Sequence, residues 1–234
     1  MAADDAYQLI SGYGAYITSV ATDGVLANWN DVAGVNFEKP WWNSDIVHEM
    51  NVADHLFYIT GDLTMTSVEY LFCLFFNKEI MTDNNLEFPY DIVREGKWTF
   101  DKMKEYAATY HTTAWDAYNL FCVPRTAPLD FVGVVTENMA ARSYEEVLPA
   151  FYEKALRSKY ARDKDSAEMI SIIRAGATYN FGVVNSPHIG RPGHIWRDLI
   201  SDRSNNIVSK TGSNARAMEK SLDNFLTNTY INAN

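Results

Sequence analysis

Two apolar segments close together in the chain, Leu56–Thr60 and Tyr70–Phe76, constrain the fold most strongly. The polar segment Gly61-Asp62-Leu63-Thr64 follows the first of them. The second is aromatic-rich and nearly continuous, which is typical of a strand buried on both faces. It ends abruptly at Asn77-Lys78, and a polar switch after a buried strand is a common place for a ligand crevice in α/β proteins. The pattern therefore predicts a buried strand pair with polar ends.

Composition narrows the class of protein and of partner. Hydrophobic residues make up 47% of the 234 residues and aromatic residues 14%, which is ample for a packed core. The formal net charge of -10 argues against nucleic acid and anionic membrane surfaces as partners, because both would repel the chain. Cys73 and Cys122 are too few for a disulfide framework, and Cys73 lies inside an apolar run. No segment approaches the roughly 20 apolar residues that cross a bilayer.

Capping patterns predict most of the helices. Asn43-Ser44-Asp45 offers N-cap side chains for a helix over Ile46–Val52. Ser143 and Glu146 form a capping box that predicts the start of a helix running through Tyr160. The other predicted elements are helices at Asn77–Asp83, Tyr90–Glu95, Phe100–Ala108, Leu129–Arg142, Asp163–Ala175 and Ala215–Tyr230, and strands at Tyr118–Val123 and Val183-Val184.

Several short strings, in one order along most of the chain, carry a resemblance to a known family. They are Lys39-Pro40-Trp41-Trp42, Leu56–Thr64, Phe76-Asn77-Lys78, Pro89–Val93, Gly96-Lys97-Trp98-Thr99 with Lys102, and, nearer the C-terminus, Pro149–Glu153, Leu156, Lys159-Tyr160, Asp163, Asp165-Ser166 and Met169-Ile170. The chain resembles the family 1 extracellular solute-binding proteins, the sugar-binding lipoproteins of carbohydrate ABC importers.

The resemblance implies an α/β class and a partial, helix-rich periplasmic-binding-protein-like (type II) fold with an incomplete mixed sheet. It also implies an extracellular, membrane-anchored lipoprotein, although this sequence lacks a signal peptide and the anchoring cysteine. Against the family pattern, most of the second lobe is missing near Thr109–Ala114, a β-branched polar segment that indicates a junction. We expect residues 1–72 to form a partial first lobe with crossover strands, 73–114 a remnant of the second lobe, and 115–234 the return crossover and C-terminal helices.

The best candidate ligand site is Trp41-Trp42 with Asp45 beside it. Aromatic faces stack on apolar sugar faces, and nearby carboxylates accept hydroxyl hydrogens. The alternative is that one or both indoles fill a core, since Trp is highly buried on average.

Four further candidates follow from the resemblance, in which the crossing strands line the cleft. Asp62 and Glu69 are candidate hydroxyl acceptors, with turn chemistry and a solvated strand end as their alternatives. Trp115 and Asp116 lie on the returning crossover.

The sequence offers little support for a catalytic function. The sequence has no H-E-x-x-H, G-x-S-x-G or Walker A pattern. His48 and His55 are seven residues apart, about 10.5 Å of helical rise, too far to share one metal. We therefore expect no catalytic residues, no metal and no cofactor.

The leading hypothesis is a carbohydrate-binding component of an ABC importer, with a sugar and the transporter permease as partners. Because the family pattern is incomplete, we expect weak or no sugar binding. The alternative is a small non-transport interaction or scaffold protein that forms a homodimer through an exposed apolar face.

Overall fold

The computed structural model describes residues 6–66, 73–106, 110–113, 119–152, 154, 163–195, 198, 199, 202, 204 and 206–232. The chain divides into two compact units. Unit 1 consists of Met1–Ser67, Ala117–Pro149 and Thr178–Asn234, and unit 2 of Val68–Asp116 and Ala150–Ala177. The polypeptide therefore passes between the units four times. The predicted segment 73–114 lies within unit 2, which also takes in Ala150–Ala177.

Unit 1 contains one two-stranded antiparallel sheet. Strand β1 (Ile10–Tyr13) pairs with β4 (Asn119–Cys122), with Ile10 opposite Cys122. Its described helices are α1 (Gly14–Ala21), α2 (Ser44–Met50), α6 (Leu129–Arg142), α9 (Phe181–Val184) and α10 (Ile207–Leu226), with 3-10 turns at Trp29–Asp31 and Pro192–His194 and π turns at Ser143–Val147 and Thr227–Ile231. The short helix α7 (Leu148–Ala150) ends with the first residue of the second segment of unit 2.

The core of unit 1 is large and rich in aromatic residues. Its fully buried side chains include Trp29, Tyr58 and Tyr230, and residues Leu56–Ile59 are all buried. The Tyr58 hydroxyl donates to the Thr18 carbonyl at 2.7 Å. This core holds the extended segment 56–60 in place from all sides.

Unit 2 is smaller. Strand β2 (Cys73–Phe76) pairs antiparallel with β3 (Tyr110–Thr113). Its helices are α3 (Lys78–Asp83), α4 (Pro89–Arg94), α5 (Phe100–Tyr106) and α8 (Lys164–Ala175). Its described core consists of buried Met81, Ile92 and Tyr106, with Phe76, Leu86, Phe88 and Trp98 packed against them.

Arg94 ties α4 to α8 within unit 2. Its guanidinium contacts Asp91 at 2.7 Å, Asp165 at 2.5 Å and Glu168 at 2.8 Å. The hydrogen bonds that Arg94 donates to Glu168, Asp165 and Asp91 raise the pKa of its guanidinium. Each exposed pair adds little alone, but one guanidinium that holds three carboxylates fixes the register of the two helices.

The N-cap predicted within Asn43-Ser44-Asp45 is confirmed, and Asp163, with which a helix was predicted to begin, is the N-cap of that helix. The side chain of Asn43 accepts from Ile46 N at the start of α2, and that of Asp163 accepts from Ser166 N at the start of α8. Helix α6 has the predicted bounds, with Pro128 at its N-cap position.

Three predicted elements are wrong. The two apolar segments were predicted to form a strand pair. Instead, β2 pairs with β3, which lies inside the segment interpreted as a junction, and Ile59 of the first segment bridges to Phe121. Val183-Val184 is helical because the side chain of Asn180 caps α9 through a bond from Val183 N of 2.9 Å. Ser143 starts no new helix, since it continues α6 with helical φ and ψ.

The α/β class with a predominance of helix is confirmed. The described strands form antiparallel pairs alone, so the predicted mixed sheet is absent from that part of the chain. No helix within the described ranges combines the length and apolarity needed to span a bilayer.

Candidate functional site

A small pocket in unit 1 collects three of the predicted ligand-binding residues. Its volume is about 120 Å³. The residues that line it are Pro40, Trp41, Trp42, Asn43, Thr60, Gly61, Asp62 and Tyr179. Segments 40–43 and 60–62 thus form its walls, and Tyr179 comes from a distant part of the sequence.

Two backbone hydrogen bonds hold the two wall segments together. Asn43 N donates to the Thr60 carbonyl at 3.0 Å, and Asp62 N donates to the Trp41 carbonyl at 2.8 Å. The close approach depends on Gly61, because a Cβ there would lie 2.2 Å from the Trp41 carbonyl oxygen. Any larger side chain at this position would force the walls apart.

Trp41 is half-buried and carries an unusual polar atom. Its indole Nε1 is buried and has no hydrogen-bond partner among the described residues. The indole ring lies 6.2 Å from the Tyr144 ring, and the Lys39 ammonium lies 5.9 Å from its centroid. A buried N–H without an acceptor costs free energy, which an acceptor atom of a ligand would recover.

Trp42 has a different role, because it is buried and its polar atom is satisfied. Only 4% of its surface is exposed, and its Nε1 donates to Oε2 of Glu137 at 2.9 Å. Phe37 packs edge-on against the indole at 5.7 Å. Trp42 therefore forms part of the pocket wall as a buried side chain that is held in place.

The polar groups of the pocket are partly committed to the fold. The Asn43 side chain caps α2, and the Thr60 hydroxyl donates to the Asn119 carbonyl at 2.8 Å. Tyr179 is half-buried, and burial raises the pKa of its phenol, which therefore stays protonated and able to donate at neutral pH. Asp62 adds a half-buried carboxyl group.

The predicted site residues have different outcomes. Trp41, Trp42 and Asp62 are brought together at the pocket. Asp45 lies half-buried in the first turn of α2 and is not part of the pocket lining. Glu69, Trp115 and Asp116 lie outside the described residues.

Sequence reasoning missed Tyr179 and the backing residue Glu137. Neither lies in a motif. Tyr179 is more than a hundred residues from the other residues that line the pocket, and Glu137 is 95 residues from Trp42. The aromatic and acidic character of these residues gives no local signal, so only the tertiary fold could reveal them.

A larger depression in unit 2, about 380 Å³, has a different character. Its lining is dominated by charged side chains that already pair with one another, such as Lys97 with Glu95 and Lys102 with Glu105, each at 2.7 Å. The exposed ion pairs are well solvated, and none of the described side chains in this lining has a buried polar atom that lacks a partner.

Among the described residues, no group of three or more His, Cys, Asp or Glu side chains is placed to hold a metal ion. Cys122 is a free, buried thiol. Burial raises its pKa to about 12, so it is no nucleophile at neutral pH.

Comparison of the chain with profiles of known protein families, with curated proteins and with solved structures finds no match in any of the three.

Proposed function

We propose that this protein binds a carbohydrate at the Trp41–Asp62 pocket, as the solute-binding component of an ABC importer. The observation that carries the proposal is the buried Nε1 of Trp41, which has no acceptor although the residue lines a pocket beside Asp62 and Tyr179. A sugar hydroxyl can accept from that N–H and donate to a carboxylate, which suits this set of groups.

The size of the pocket sets the expected affinity. At about 120 Å³ it is smaller than the roughly 300–1,000 Å³ of typical ligand pockets, so it accommodates one sugar ring or part of one. A hexose has about 12 non-hydrogen atoms, and about -0.3 kcal/mol per atom gives about -3.6 kcal/mol. The expected dissociation constant is therefore of the order of 1 mM or somewhat weaker.

Titration of a panel of mono- and oligosaccharides, followed by NMR of the tryptophan indole N–H groups, tests the proposal. The sharpest variant is Trp41→Phe, which keeps an aromatic face but removes the unpaired N–H. We expect about a tenfold loss of affinity, in line with loss of one hydrogen bond of about 1.4 kcal/mol. Trp98→Phe, in the core of unit 2, serves as the matched control and should bind like the wild type.

Two results would contradict the proposal. One is the absence of binding by every sugar in the panel, even at tens of millimolar. The other is sub-micromolar binding that Trp41→Phe leaves intact, because such affinity would require a larger site elsewhere in the chain.

The transport role itself rests on the resemblance to the solute-binding lipoproteins. It makes a permease the protein partner and places the natural protein outside the cell on a lipid anchor. Deletion of the gene should lower uptake of the sugar that binds, and metabolic labelling of the natural gene product with palmitate tests the anchor.

A second candidate function is self-association through the outer face of α6. Four apolar side chains are exposed on one side of this helix: Phe131 (61%), Val134 (53%), Val135 (38%) and Met139 (52%). Phe131, Val135 and Met139 follow a four-residue spacing, so an antiparallel helix from a second copy would set each Phe131 against the other copy's Met139.

Sedimentation velocity over a concentration series distinguishes the two functions. The four side chains offer less than the roughly 800 Å² per partner of a standard interface, so any dimer should be weak and should dissociate at low micromolar concentration. Phe131→Ser should abolish it, while Val208→Ser, at a more exposed apolar site on α10, should not. A strict monomer at millimolar concentration would exclude this function.

A further inference from the structure

The two tryptophans of the pocket are contacted by the same helical run, although it lies about a hundred residues away in sequence. Helix α6 supplies Glu137, and the π turn that continues it supplies Tyr144. Glu137 bonds the Nε1 of Trp42, and the Tyr144 ring lies 6.2 Å from that of Trp41 at 55°. Seven residues, about two helical turns, separate the two contacts.

Glu137 makes a second bond that anchors the start of the same segment. Its Oε2 also accepts from Asn36 N at 3.2 Å, so one carboxylate oxygen holds both ends of the stretch from Asn36 to Trp42. The side chain is half-buried, which strengthens bonds to a charged acceptor.

The residues just before this stretch approach α6 unusually closely. A Cβ on Gly133 would lie 1.8 Å from the carbonyl oxygen of Ala33, and a Cβ on Gly34 would lie 3.1 Å from the side chain of Val134. The segment that leads into the pocket wall is therefore pressed onto α6 just before Glu137 binds it. The indole nitrogen of Trp42 is anchored by Glu137 at that point.

We propose that Glu137 and Tyr144 are positioning residues for the ligand pocket, which they serve by fixing the orientation of the Trp41-Trp42 pair. Glu137 holds Trp42 and, through the backbone, the adjoining Trp41, whereas Tyr144 limits rotation of the Trp41 indole. Neither residue lines the pocket, so both act through the tryptophans. The inference deepens the proposed function and rests on it for the identity of the ligand.

The test compares Glu137→Met, which keeps the length of the side chain but removes the acceptor, with Glu137→Gln, which retains one carbonyl oxygen. In Glu137→Met, the Trp42 indole N–H resonance should move upfield, and acrylamide should quench Trp41 fluorescence more strongly. The sugar dissociation constant should rise about tenfold, whereas Glu137→Gln should stay within about threefold of the wild type.

Two further variants separate positioning from general destabilisation. Tyr144→Ala should increase quenching of Trp41 without moving the Trp42 indole resonance, and Tyr144→Phe should leave both unchanged. Glu145→Met, at an exposed site on the same π turn, is the matched control and should behave as the wild type.

The indole readouts need no ligand, so the inference can fail independently of the proposed function. If no sugar binds the wild type but Glu137→Met still releases both indoles, the proposed ligand is wrong and the positioning role stands. If Glu137→Met lowers the melting temperature while the Trp41 and Trp42 signals keep their wild-type values, the positioning role is overturned.

Discussion

Single residues in this protein show how burial and close approach decide the role of a side chain. Trp41 and Trp42 are adjacent and chemically identical, yet only Trp42 has an acceptor for its indole N–H. The difference arises from the tertiary contact with Glu137, which binds the indole nitrogen of Trp42. The proposed binding role of Trp41 and the supporting role of Trp42 rest on that contact.

His188 gives a prediction for pH at the residue scale. Its Nε2 lies 3.0 Å from the Thr18 hydroxyl, and its ring stacks on Phe225 at 5.0 Å. Burial lowers the pKa of His188 below its ordinary value of 6.5, so the unfolded state takes up the proton first as the pH falls. The stability tied to neutral His188 is therefore present above about pH 6.5 and is lost at lower pH.

We expect the free energy of unfolding to fall less steeply between pH 7 and pH 5 in His188→Gln than in the wild type. Urea titrations at several pH values measure that slope. His48→Gln, at an exposed site on α2, should keep the wild-type slope. Equal slopes in all three proteins would show that His188 is not the titrating group.

At the scale of elements, helix α6 offers the clearest test of close packing. Gly133 lies on its buried face, where a Cβ would overlap the Ala33 carbonyl oxygen at 1.8 Å. Gly133→Ala should destabilise unit 1 by about 3 kcal/mol, because backbone must move to relieve the overlap.

The matched control is Gly212→Ala in α10, where a Cβ meets nothing within 4 Å. That change should stabilise the protein by about 0.5 to 1 kcal/mol, since Ala is the better helix former. Thermal and urea unfolding of both variants provide the measurement. A stabilised Gly133→Ala would mean that α6 and residues 32–34 do not pack as described.

The elements also show which parts of the fold the sequence could predict. The helix starts near Asn43 and Asp163 were predicted, because an N-cap side chain and the backbone N–H that donates to it lie within three residues of each other. The partner of β2 was not, because apolar periodicity identifies a strand but carries no information on which distant strand it joins. The helix start predicted at Ser143 was wrong for a related reason, because a capping pattern is equally compatible with an uninterrupted helix.

The residues of the candidate site also divide into those that the sequence could predict and those that it could not. The Trp41-Trp42 pair was predicted from a local aromatic pattern, and Asp62 from the family resemblance. Tyr179, Glu137 and Tyr144 reach the same place only through contacts between segments far apart in sequence. No spacing rule could have linked them.

At the scale of the whole molecule, the free thiol of Cys122 reports on opening of unit 1. It lies on β4 with no exposed surface and a pKa raised to about 12 by burial. In a Cys73→Ser variant, which leaves this single thiol, alkylation at pH 8 should be at least about 100-fold slower in the native protein than in denaturant. A comparable rate in both would show that the β1–β4 sheet opens readily.

The four passages of the chain between the units have a consequence for synthesis on the ribosome. Strand β1 is made early, but its partner β4 begins at residue 119, which at about 5–20 residues per second emerges roughly 5–20 s later. Tyr230, at the centre of the same core, emerges later still. Unit 1 cannot complete its core until nearly the whole described chain is outside the tunnel, whereas the helices α3 to α5 of unit 2 can form while synthesis continues. The nascent chain therefore exposes apolar segments such as Leu56–Thr60 for much of its synthesis, and we expect its yield to depend on chaperones that bind such segments.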